Sequence, residues 1–82
     1  MKTRKIDPTL RAMETMELYC IAHPSSPAAV RRPRLFFKTG TWIALLGGSI
    51  EDGIAGFGAS VEAALRAFDL IYLRALRPPV DE

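Results

Sequence analysis

Gly53-Ile54-Ala55-Gly56-Phe57-Gly58-Ala59-Ser60-Val61-Glu62-Ala63-Ala64-Leu65-Arg66-Ala67-Phe68-Asp69-Leu70-Ile71-Tyr72-Leu73-Arg74-Ala75-Leu76-Arg77 reads as a short apolar strand, a glycine turn and an amphipathic helix. Ser60 suits the N-cap, where its hydroxyl can accept a bond from an unpaired amide of the first turn. Gly56 and Gly58 permit the tight path into that cap. Val61, Ala64, Leu65, Phe68, Ile71, Tyr72, Ala75 and Leu76 recur at the spacing of one helical face. Glu62, Arg66 and Asp69 are expected on the opposite, wet face, with Glu62 and Arg66 as a favourable i,i+4 pair. Pro78 and Pro79 end the helix, so this element is predicted over 60–77.

Working back towards the start, the chain supplies a sheet for that helix. Arg34-Leu35-Phe36-Phe37-Lys38 has strand character, Thr39-Gly40 reads as a hairpin turn, and Thr41-Trp42-Ile43-Ala44-Leu45-Leu46 is the return strand. Gly47 to Gly53 is a polar loop, and Ile54 to Phe57 opens the third strand, which gives a meander over 34–58. Residues 23–33, which hold Pro24, Pro27 and Pro33 with Arg31 and Arg32, read as a loop. Asp7-Pro8 opens a helix over 7–22, with Asp as N-cap and Pro at the first helical position. Leu10, Met13, Met16 and Cys20 share its inner face, and Arg11, Glu14 and Glu17 face water. Residues 17–23 also alternate as a strand would, so the end of this helix stays open. Residues 1–6, with Lys2, Arg4 and Lys5, form a basic, flexible tail. The fold class is α+β: one domain over 1–82, in the order α-β-β-β-α, with two helices on one face of a three-stranded antiparallel sheet.

Size and composition narrow the function. At 82 residues there is room for one core, and 49% of the residues are apolar, a generous share for so small a chain. No apolar run approaches the length of a membrane span, and no signal-peptide pattern follows the basic start. A lone cysteine, Cys20, excludes an internal disulfide and a Cys-rich zinc site, and a reducing cytoplasm suits it. The net charge of +2 is unevenly spread. Pro24 to Lys38 carries Arg31, Arg32, Arg34 and Lys38 without an acid, whereas Thr39 to Leu65 carries Glu51, Asp52 and Glu62 without a cation. Such polarity either steers a charged partner or simply keeps the chain soluble.

Gly53, Gly58, Ser60, Ala64 and Leu65 resemble the strand–turn–helix of HicB-like antitoxin domains, with Ala63 where that pattern has Glu. Thr41-Trp42-Ile43-Ala44 resembles the strand that precedes it. Gly56, Gly58, Ser60 and Ala64, in the order α-β-β-β-α, are also similar to the last helix of double-stranded-RNA-binding domains. There Val61, Glu62 and Leu65 stand where that family has its phosphate-holding lysines. The resemblance implies a reduced, stand-alone binding domain of the kind a phage or prophage encodes, without conventional duplex-RNA contacts.

Chemistry is sparse. The Gly58–Ser60 turn offers amides at a helix start, but Glu62 opposes an anion there and no Walker lysine is present. His23 is the single histidine, at a helix or strand end, with no nucleophile or second metal ligand argued by spacing; Cys20 could touch it at i,i+3. No catalytic residue, metal site or cofactor is expected. Neither face of the meander is polar, and two helices cover only one. The surplus apolar surface points to association with a protein partner or a second copy as a homodimer. Phe36, Lys38, Trp42 and Ala44 are the candidate partner-binding residues. The rival expectation is nucleic-acid binding through Arg31, Arg32, Arg34 and Lys38, with Arg4 and Lys5 as an arm and the strand aromatics as a stacking platform.

Overall fold

The computed structural model describes residues 8–76. The expected tail at 1–6, the Asp7 cap, and Arg77 with the prolines beyond it lie outside the described residues. The elements run α1 (Pro8–Ala22), α2 (Pro27–Arg31), β1 (Arg34–Lys38), β2 (Thr41–Leu46), β3 (Ile54–Gly58) and α3 (Val61–Leu76). The strands form one antiparallel sheet in the order β1-β2-β3. The fold is therefore the expected α+β order, helix, three-stranded sheet, helix, with α3 packed on the sheet.

A two-residue turn joins β1 to β2: Thr39 at φ 51° and Gly40 at φ 73° both lie in the left-handed region. That is the type I′ geometry whose twist matches the flanking strands. It pairs Lys38 with Thr41 and so fixes Phe36 opposite Ile43 and Phe37 opposite Trp42. β2 in turn sets Ile43 opposite Phe57 and Ala44 opposite Gly56.

α3 lies over β3 and β2, and the contact is tight at Gly56. A methyl group there would sit 2.3 Å from the Phe68 amide nitrogen and 2.4 Å from the Ala64 carbonyl oxygen. Ser60 caps the helix as expected, its Oγ accepting from the Ala63 amide at 3.1 Å, and Glu62 pairs with Arg66 at 2.7 Å. The core joins Ala12, Met16, Tyr19 and Cys20 of α1 to Ala28, Ala44, Val61, Ala64, Leu65 and Phe68. Leu65 and Phe68 are fully buried, and each contributes about 1.5–3 kcal/mol of apolar burial.

Three local expectations are corrected. Residues 23–33 hold a turn of helix, α2, because Ser26 accepts from the Ala29 amide at 3.2 Å and Pro27 occupies the first helical turn. α1 turns a different face inward. Leu10 and Met13 are 59% and 56% exposed, and the buried set is Ala12, Met16, Tyr19 and Cys20. A helix crossing the edge of the sheet buries a stripe set by its crossing angle, and the larger apolar residues of its first half fall outside that stripe. Asp69 does not face open water. It is half-buried against α1 and α2.

Candidate functional site

The register divides the sheet into two unlike faces. Leu35, Phe37, Trp42, Ala44, Leu46, Ile54, Gly56 and Gly58 lie on the side of α3. Arg34, Phe36, Lys38, Thr41, Ile43, Leu45, Ala55 and Phe57 lie on the other, and no described element covers them. Across the middle of this open face runs the row Phe36–Ile43–Phe57. Ile43 is only 3% exposed because its two aromatic neighbours flank it, while Phe57 is 48% exposed. Leu45, between Arg34 and Ala55, is buried as well, leaving a small apolar platform with Arg34 and Lys38 along the β1 side. Arg34 donates to the Gly47 carbonyl at 3.4 Å.

The candidate partner-binding residues are thus split between the faces. Phe36 and Lys38 stand on the open one. Trp42 and Ala44 stand under the helices: Ala44 is wholly buried in the core, and Trp42 packs against it with the exposed Phe37 ring 5.1 Å away. A two-residue turn pairs residues three apart, so 38 pairs with 41 and even numbers on β1 meet odd numbers on β2. Ile43 could have been found from that parity alone, whereas Phe57 joins the row only through the separate β2–β3 register.

The basic segment is largely occupied by its own chain. Arg31 donates from Nε to the Tyr72 hydroxyl at 2.8 Å, with its Cζ 5.9 Å from that ring's centre. Arg32, held left-handed at φ 51° as the C-cap of α2, forms an ion pair with Glu17 and lies 3.6 Å from the Cys20 sulfur. Lys38 has no ion-pair partner among the described residues. Arg4 and Lys5 lie outside them.

Two hollows flank α1. A groove of about 370 Å³ between α1 and β1 is lined by Ala12, Met13, Met16, Arg32, Arg34 and Leu35 among others. A shallower one of about 470 Å³ holds His23, Ser26, Asp69 and Leu73. The Asp69 carboxylate in it is already engaged, accepting from the Tyr19 hydroxyl at 2.5 Å and from the Ala28 amide at 2.8 Å. Burial first, and then the bond to Asp69, raise the Tyr19 hydroxyl above the ordinary tyrosine range. The His23 ring packs 4.6 Å from that of Tyr19, and the Cys20 thiol points to the Ala28 carbonyl at 3.9 Å, so Cys20 and His23 do not form a pair. No group of three or more potential metal ligands occurs among the described residues, and none of their helices is long and apolar enough to cross a membrane. Comparison of the chain with protein-family models, with curated proteins and with solved structures finds no match.

Proposed function

We propose that this chain is a small non-enzymatic binding domain, of the HicB-like and double-stranded-RNA-binding-domain-like kind, that holds a protein partner on the open face of its sheet. An antitoxin and a phage-encoded inhibitor of a host system are two roles such a domain fills, and a reducing cytoplasm suits its single buried thiol. The row Phe36–Ile43–Phe57 carries the reading: two aromatic side chains spread on a strand surface that no part of the described chain covers. Apolar platforms beside a polar rim are the usual anatomy of a protein contact.

The experiment is a photo-crosslinking residue at position 57 in the native host, followed by identification of what it captures. A single protein, lost in a Phe36→Ser/Phe57→Ser variant of unchanged melting temperature, is the expected result. Capture that is indifferent to those two substitutions would refute it. A His23→Ala variant matching the wild type in a ribonuclease assay is expected on the same reading.

Arg34 and Lys38 share the platform with Phe36 and Phe57, and this mixture of cation and aromatic favours a second reading, single-stranded nucleic acid stacked on the sheet. It requires retention on RNA or DNA that weakens steeply with salt and is abolished by reversing Arg34 and Lys38, or Arg31 and Arg32, to Glu.

A further inference from the structure

We infer that the β1 edge and the groove beside it take up an extended peptide as a fourth strand, one with acids four residues apart and apolar residues between them. β1 lies outermost in the order β1-β2-β3, and no described element pairs with its outer side. The two-residue turn closes on a hydrogen bond between Lys38 and Thr41, so Lys38, Phe36 and Arg34 exchange bonds with β2. The N–H and C=O groups of Leu35 and Phe37 therefore point outward. An extended backbone supplies donors and acceptors at that alternating spacing, the basis of recognition by strand addition.

Charge selects the peptide on one side of the edge. Arg34 and Lys38 stand on the open-face side of β1, about 13 Å apart at the rise of a strand. Lys38 has no ion-pair partner among the described residues, and Arg34 makes a long bond to the Gly47 carbonyl at 3.4 Å. A strand laid beside β1 sets its own residues directly opposite these two, where carboxylates are favoured and cations are not. A second copy does not fit: antiparallel pairing of two β1 strands sets Arg34 against Lys38, and none of the three strands carries an acid.

The groove selects it on the other side. Residues of the added strand opposite Leu35 and Phe37 face the helices, where α1 stands off from β1 across the hollow of about 370 Å³. Met13 and Met16 line it with Ala12 and Leu35, and Phe37, next along the helix side of the strand, is 55% exposed. Leu10 and Met13, the apolar residues that the packing of α1 leaves outside, continue the same stripe. Unbranched methionine side chains adapt to whichever apolar group enters. The groove and the outward amides lie apart from the row Phe36–Ile43–Phe57, so the site does not depend on the open face having a protein partner.

The experiment is titration of the full chain with an acetylated, amidated peptide of core Glu-Ile-Thr-Ile-Glu, a pattern that reads alike in either strand direction. Its twin Lys-Ile-Thr-Ile-Lys serves as control, and amide exchange locates the contact. The acidic peptide is expected to bind at least tenfold more tightly than its twin. It should slow exchange at the Leu35 and Phe37 amides and leave that of Phe36, already bonded to β2, unchanged. Met13→Asp should weaken binding about tenfold or more with an unaltered melt, Ile21→Asp on the outer face of α1 should not, and Lys38→Glu should remove the preference for acid. Absence of binding, equal binding of the twin, or protection that misses Leu35 and Phe37 would overturn the inference. So would protection of those two amides by protein concentration alone, which would mark a second copy. Met13→Asp should leave capture by a probe at position 57, two strands away, as it was. Loss of capture with peptide binding intact counts against the open-face reading only, so the two fail by different observations.

Discussion

Asp69 is the residue on which the helical layer turns. One of its oxygens accepts from a hydroxyl on α1 and the other from a backbone amide of α2, while its own backbone belongs to α3. Asp69→Ala leaves the Ala28 amide and the Tyr19 hydroxyl without their acceptor and should cost about 2–4 kcal/mol in urea unfolding, the scale for losing charge-assisted bonds at a half-buried site. Tyr19 gives the matching pH dependence. Its proton is held more tightly in the folded chain than in the unfolded one. The stability this confers is complete below about pH 10, the ordinary tyrosine value, and declines as pH rises beyond it. Thermal melts should therefore fall more steeply between pH 9 and pH 11 for the wild type than for Tyr19→Phe. Thr39 is strained, a β-branched residue at φ 51°. Thr39→Asn, which suits a type I′ turn, should raise stability by on the order of 0.5–1 kcal/mol in the same assay.

Among the elements, α3 is the best specified by its sequence. Its cap at Ser60, its i,i+4 pair and the buried residues Val61, Ala64, Leu65 and Phe68 all follow from local pattern. Ser60→Ala should lower stability by about 1 kcal/mol, seen as a shift in the denaturant midpoint. Gly56→Ala is more severe. The added methyl meets helix backbone rather than a movable side chain, so α3 must lift from β3, and loss of the cooperative melt is expected. α1 was less legible because its periodicity admits two adjacent stripes, and only the crossing with β1 and α3 selects the one through Ala12 and Tyr19. α2 carried a signal of the kind used for α1, a capping side chain followed by proline, but the surrounding prolines hid it. The role of Asp69 had no local signature at all, since its partners lie 41 and 50 residues away in the chain.

For the whole molecule, the surplus of apolar strand surface was visible in composition, while the division into faces needed the register. Once Lys38 is paired with Thr41 and Ile43 with Phe57, the row Phe36–Ile43–Phe57 falls on one surface and Ala44 falls inside. The long reach of the Asp69 contacts has a temporal side. On a ribosome, residues 8–31 emerge well before residue 69, so during synthesis the first two helices lack the carboxylate that ties them to α3. A truncated product ending after β3 should show almost no helical circular dichroism at 25 °C, and adding a synthetic α3 peptide should restore it. The opening third of this polypeptide waits for the closing third before it can take shape.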